Sequence, residues 1–241
     1  MISGGNKHSP YFSLLEALEE DGCVICNLVL RVLDQYFDSL VYERVNDIGV
    51  RGDLRQSQGF CAAHGEMLRA AGSVPGSAII HRDLIQSLIN GLNNESNLTG
   101  TQHNWLKELL NMEDQHHNPI LPPANPCPAC VLVYQNEQLN IDVLLENWDD
   151  DILRTAFKES SGLCLPHLRM VLGQAKDRKK FDQLKQVQLD ILQSLLSELD
   201  EFIRKQDYRF SHEQVGDERD SWSRAINMVS GNWRVTGSRN R

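Results

Sequence analysis

Cys23-Val24-Ile25-Cys26, followed by Gly59-Phe60-Cys61-Ala62-Ala63-His64, is the stretch that decides how this 241-residue chain is organised, because both of its parts recur. Cys127-Pro128-Ala129-Cys130 and then Gly162-Leu163-Cys164-Leu165-Pro166-His167 repeat the order: a C-x2-C pair, a gap, and G-[F/L]-C-x2-H. Cys61 lies 35 positions after Cys26, and Cys164 lies 34 after Cys130. The two C-x2-C pairs are 104 positions apart and the two C-x2-H pairs 103. A near-constant offset at four places reads as an internal duplication. It continues past the motifs, since Asp83-Leu84-Ile85-Gln86-Ser87-Leu88-Ile89 matches Asp190-Ile191-Leu192-Gln193-Ser194-Leu195-Leu196 at an offset of 107. The extra spacing, four residues, is about one helical turn, so a helix can lengthen there without rotating its buried face.

All six cysteines fall in these motifs. Each copy therefore offers three thiols and one imidazole, the donor set that tetrahedral Zn(II) takes in a closed structural site. The reading adopted here is local: Cys23, Cys26, Cys61 and His64 form one site, and Cys127, Cys130, Cys164 and His167 the other, with two Zn(II) per chain. Pairing swapped between the copies satisfies the same counts. An iron–sulfur cluster is the alternative cofactor, because thiolates are the usual cluster ligands and His replaces Cys in some centres. The compact cysteine runs of ferredoxins are lacking, and zinc is preferred. Disulfides do not account for a histidine at every fourth place. A thioredoxin-type pair would need a βαβ context that the sequence does not offer.

Around the motifs the apolar residues recur at three and four. Ser9-Pro10 reads as a helix start, with Ser as N-cap and Pro at the first helical position. Helices are predicted from Cys26 to about Asn46, broken by Gly49 and Gly52, then from Ala62 to Ala71, Ser77 to Leu92 and Trp105 to Met112. The prolines between His116 and Pro126 cannot stay helical and are read as a linker. Further helices are predicted at Val131–Trp148, Ile152–Phe157, Leu165–Gln174 and Lys179–Gln206. No useful segment alternates with period two. The fold class is thus all-α: two tandem helical repeats, each with a Cys3His metal site, plus a C-terminal capping helix around Trp222, Ala225, Ile226 and Val229. The expected domains are 1–113 and 127–210 as metal-binding repeats, 114–126 as a Pro-rich linker, and 211–241 as a tail.

Each motif lies just before, or in the first turn of, a predicted helix. Free N–H groups and partial positive charge at such an end stabilise thiolates. The metal is then expected to staple the starts of helices that are distant in sequence.

The net charge of −9 disfavours nucleic acid as a partner, since phosphate backbones would be repelled. No apolar run approaches the roughly 18–20 residues of a membrane span, and no export signal is seen, so a cytoplasmic location is expected. The chain shows no P-loop, dinucleotide fingerprint, G-x-S-x-G or H-E-x-x-H motif. His116-His117 is read as a solvated pair in the linker, and Asp149-Asp150-Asp151 as a charge cluster at the start of a helix.

Together with the cysteine motifs, Y-E-R-V-N-D (Tyr42 to Asp47), I-I-H-R-D (Ile79 to Asp83), F-I-R-K-Q-D-Y-R-F (Phe202 to Phe210) and D-S-W-S-R-A-I (Asp220 to Ile226) resemble an uncharacterised bacterial family, a domain of unknown function, over nearly the whole chain. The resemblance implies a helical bacterial protein with no established activity. Some relatives carry a transporter substrate-binding label, which nothing in this sequence supports. With all four positions filled at each site, the expected function is a non-catalytic, zinc-stabilised scaffold or interaction protein with a protein partner, and not an enzyme. The alternatives are an iron–sulfur protein in electron transfer or redox sensing, and a thiol/zinc redox switch.

Overall fold

The computed structural model describes residues 9–95, 125–210 and 212–237. Among them every regular element is helical. In chain order these are α1 (Ser9–Leu18), α2 (Val24–Tyr42), α3 (Ile48–Gln56), α4 (Ala62–Ala70), α5 (Val74–Glu95), α6 (Pro128–Glu146), α7 (Asp151–Glu159), α8 (Leu165–Gln174), α9 (Arg178–Lys205), α10 (Ser221–Ser230) and α11 (Trp233–Thr236). Two 3-10 turns, Tyr208–Phe210 and Asp217–Asp220, join α9 to α10. No described helix is long and apolar enough to cross a membrane.

The chain forms two compact units that do not follow its sequence halves. One comprises Met1–Asp34 and Leu132–Arg241, and the other Gln35–Val131. The boundaries of these units fall inside α2 and α6, so each of those helices contributes residues to both. The predicted helix at Trp105–Met112 and most of the Pro-rich linker lie outside the described residues.

In the first unit α1 lies against α7, while α9 packs on α7, α8 and α10. The core carries Leu14, Ile25, Leu33, Ile141, Leu144, Trp148, Leu153, Phe157, Val171 and Leu184, all essentially inaccessible to water. Trp148 and Phe157 meet edge to face at 5.3 Å between ring centroids. Asp150 caps α7 by accepting the Ile152 N–H at 3.0 Å, which gives the acidic run at 149–151 its structural role. The C-terminal helix α10 lies on α8 and α9, tied by Arg224 to Glu198 and Asp220.

In the second unit α5 packs against α3 and α4, with Phe37, Leu40, Leu54, Leu68 and Ile80 buried. Here the sequence reading needs a correction. Gly49 and Gly52 do not break the chain but sit inside α3. Asp47 caps that helix by accepting the Val50 N–H at 2.9 Å, and Val50 and Leu54 are buried on one face. These gains outweigh the roughly 1 kcal/mol that each helical glycine costs relative to alanine. Likewise, the helix expected from Ser77 starts earlier, since α5 already begins at Val74 with Pro75 in its first turn.

Candidate metal centres

Eight side chains gather into two groups of four, and the ligand atoms of each group all lie within 4.8 Å of one another. The first centre consists of Cys23, Cys26, Cys164 and His167; the second of Cys61, His64, Cys127 and Cys130. The eight residues are those read from the sequence, but the local grouping is not the one formed. Each centre takes its C-x2-C pair from one copy and its C-x2-H pair from the other.

Loop contacts accompany this grouping. The Gly22 N–H, just before Cys23, donates to Ser161 Oγ at 3.0 Å, which ties that loop to the one preceding Cys164. In the second unit the Asn125 N–H donates to the Gln56 carbonyl at 3.0 Å, and Asn125 Nδ2 donates to Gln56 Oε1 at 3.1 Å. That joins the approach to Cys127 to the end of α3, shortly before Cys61. Once these loops are paired, the nearest C-x2-H for each C-x2-C is the one from the other copy.

Every motif sits at the start of a helix, as expected. Cys61 and Cys164 are the N-cap residues of α4 and α8. Cys23 and Cys127 stand immediately before α2 and α6, with Cys26 and Cys130 in their first turns. The glycine of each G-[F/L]-C motif is required by its backbone: Gly59 has φ +93 and Gly162 φ +69, a region unfavourable to residues with a Cβ.

In the first centre His167 Nδ1 faces the three sulfurs, at 3.3 Å from Cys23, 3.4 Å from Cys26 and 3.2 Å from Cys164. Cys26 and Cys164 Sγ are 3.9 Å apart. With Nδ1 committed to this side, Nε2 carries the proton and donates to Glu137 Oε1 at 3.1 Å. Glu137 comes from α6 and is only 2% exposed. A second support comes from α9. The buried Gln188 accepts the Leu163 N–H at 2.9 Å through Oε1 and donates to the Leu163 carbonyl at 3.2 Å through Nε2, fixing the loop before Cys164. A cleft of about 970 Å³ in the same unit is bordered by Cys23 and Cys164 together with Val187, Ile191, Leu195 and Met228.

In the second centre His64 Nδ1 lies 3.2 Å from Cys61, 3.6 Å from Cys127 and 3.4 Å from Cys130, with Cys61 and Cys130 Sγ 3.7 Å apart. The imidazole is fully buried, yet among the described residues its Nε2 has no hydrogen-bond partner. Phe37 lies beside it, 6.4 Å from His64 between centroids, and Phe37 in turn meets Phe60 at 5.3 Å.

The electrostatics fit a bound cation. Burial works against ionising Cys23, but hydrogen bonds from Cys164, Cys26 and His167 pull its pKa well below the ordinary thiol value. Its neighbour Cys26 is driven the other way by Cys164 and Cys23, with burial adding to the rise. Acidic groups this close cannot all ionise together unless positive charge sits among them. Burial also opposes charge on His167, but its bonds to Cys164, Cys23 and Glu137 prevail and push it up to about 11. The hydrogen bond from Cys130 leads in pulling Cys127 down to about 3. Burial, and then the Cys127 thiolate, push Tyr36 up to about 12. Three soft thiolates and one imidazole, converging from helix N-termini, form a donor set able to hold a metal ion at each centre.

Glu137 and Gln188 were not singled out by sequence reasoning. For Glu137 a signal exists: it is an acidic residue at helical spacing between Val133 and Ile141, both buried.

The family described as Family of unknown function (DUF6062) matches residues 12–236. The chain is 28% identical to an uncharacterised 23.9 kDa protein in the xynA 3' region of Caldicellulosiruptor sp. (strain Rt8B.4), over 90% of this chain and 99% of that protein. No solved structure matches.

Proposed function

We propose a function for this chain, which belongs to the Family of unknown function DUF6062, from its own donor groups: it is a non-catalytic, zinc-stapled helical scaffold that works by binding other proteins. The observation that carries this reading is the size of the donor cages. A zinc ion with Zn–S distances of ~2.3 Å sets neighbouring sulfurs about 3.7–3.8 Å apart in a tetrahedron. One sulfur pair in each centre fits this spacing, Cys26–Cys164 at 3.9 Å and Cys61–Cys130 at 3.7 Å. An iron–sulfur cluster holds its thiolates apart by the width of the cluster itself, whereas these ligand atoms lie within 4.8 Å of one another. The cages therefore favour one ion each.

Four protein ligands per ion leave no open position for water or substrate, which supports a structural role over catalysis. Cys23, Cys26, Cys164 and His167 would hold one ion, and Cys61, His64, Cys127 and Cys130 the other. Each ion would neutralise its thiolates and cross-link helix starts far apart in sequence. Support for a binding role comes from α10, whose outer face exposes Trp222, Ile226 and Val229 at helical spacing, with Trp233 following in α11. Tryptophan in such a position is typical of an interaction surface.

Metal analysis of the purified protein, together with its absorption spectrum, tests this reading. Two zinc ions per chain and a colourless solution are expected. Iron, with a brown colour and absorption near about 400 nm of the kind thiolate-bound clusters give, overturns the zinc assignment. X-ray absorption showing an oxygen neighbour in place of one sulfur or nitrogen would reopen catalysis.

A further inference from the structure

The ligand sets of the two centres are the same, but their surroundings are not. In the first centre Cys23, Cys26, Cys164 and His167 are 9%, 2%, 1% and 0% exposed. In the second, Cys61, Cys127 and Cys130 are all partly open to solvent, and only His64 is sealed. A thiolate leaves a metal more readily where water can solvate and protonate it, and an incoming ligand needs the same access. The cleft beside the first centre does not remove this contrast, since the two thiols bordering it stay 9% and 1% exposed.

The histidines differ as well. Glu137 accepts from His167 Nε2, which fixes the ring and raises its basicity toward a metal on Nδ1. His64 Nε2 is buried with no acceptor among the described residues. Under the 104-residue offset the counterpart of Glu137 is Leu33, which cannot accept a hydrogen bond. Losing such a partner typically costs about 10–100-fold in metal affinity.

We propose that the second centre (Cys61, His64, Cys127, Cys130) exchanges its metal ion with solution and is the point at which the chain responds to metal supply, while the first centre retains its ion. This rests on the reading of both groups as metal sites. Loss of the second ion frees the start of α4 from the start of α6 and leaves the first unit stapled. Glu137 is then a positioning residue, holding His167 and slowing release at the first centre alone.

The test uses the full-length chain loaded with Co(II), whose thiolate absorption reports occupancy, and challenged with excess EDTA. Two phases of one equivalent each are expected, with rates at least about 10-fold apart. Cys61→Ser should remove the fast phase and keep the slow one. Glu137→Leu should accelerate the slow phase about 10–100-fold and leave the fast one unmoved. Glu137→Gln keeps an acceptor and should fall between Glu137→Leu and the native protein. Release of both equivalents in one phase, loss of the slow phase in Cys61→Ser, or no effect of Glu137→Leu overturns the proposal. If Cys61→Ser fails to fold, the native phases and the Glu137 variants still decide. A chain that binds no Co(II) through thiolates overturns the metal reading itself, a result distinct from two bound ions leaving together.

Discussion

The first centre is enclosed by the core of its unit, with Glu137 behind its histidine and Gln188 bracing the loop into Cys164. The second has the same four donor types on the same kind of helix starts, but three partly exposed thiols and a histidine beside the Phe37 ring. The two groups thus share their Cys and His donors but differ in what surrounds them. On the proposed reading, residues that never touch the metal would set how firmly each ion is held and how easily solvent reaches it.

The largest effect should come from removing one ligand, and it tests the pairing itself. Cys61→Ser is expected to lower hydrogen-exchange protection in α4 and at the start of α6, leaving the start of α2 protected. Structural zinc supplies on the order of 10 kcal/mol in small peptides, and the effect here should be several kcal/mol because the helices also pack. Loss of protection around Cys23 and Cys26 instead would restore the local grouping.

Next in size is Gln188→Leu. It strips both backbone groups of Leu163, a residue with no exposed surface, of their partner. An unsatisfied buried polar group costs about 1–3 kcal/mol, so a loss of that order in denaturant unfolding is expected. The damage should be confined to the first centre, read as faster metal release there only.

A smaller, paired comparison uses the motif glycines. A Cβ on Gly162 would lie 2.9 Å from Gln188 Oε1 and 2.9 Å from Ile191 Cδ1; on Gly59 it would meet only Leu84 Cδ1, at 3.2 Å. Positive φ penalises both substitutions, by about 1–3 kcal/mol. Gly162→Ala should sit at the upper end, because it also displaces the Gln188 brace, and Gly59→Ala at the lower. Equal melting temperatures for the two variants would contradict the claim that the first centre is the more tightly built.

The smallest effect concerns acid. Cys127 is lowered from the ordinary 9.0 to about 3 by its hydrogen bonds, Cys130 first. A depressed thiol stabilises the fold in full only above its unfolded value and loses that contribution as pH falls toward its folded value. In chelator-treated protein, the second unit should therefore weaken gradually as pH drops from about 9 toward about 3. Alkylation of Cys127 should persist well below pH 7, because the thiolate is the reactive form. Alkylation that falls away below about pH 8, as for an ordinary thiol, would show that the hydrogen bonds do not hold Cys127 as a thiolate.

Much of the fold could be read in one dimension because it is written locally. Helix α8 falls at Leu165–Gln174 as predicted, since Cys164 and Pro166 mark its start within a few residues of its own apolar face. Helix α3 was missed because glycine content was weighed without the Asp47 cap and the burial of Val50 and Leu54. The eight side chains that cluster were legible from spacing alone. Glu137 was not, because a helical pattern gives a residue's face but not which side chain waits across from it.

By itself, the sequence determined the all-helical class and the residues that make up both Cys3His groups. Each depends on residues within a few positions of one another, or on a repeat visible without coordinates. Only the tertiary structure decided which C-x2-C meets which C-x2-H. The two copies carry equivalent ligands, so either pairing satisfies the same chemistry. The choice fell to contacts between distant loops, Gly22 with Ser161 and Asn125 with Gln56. The inequality of the centres was decided the same way. Exposure and the Glu137–His167 hydrogen bond, across 30 residues of sequence, exist only once the helices have packed.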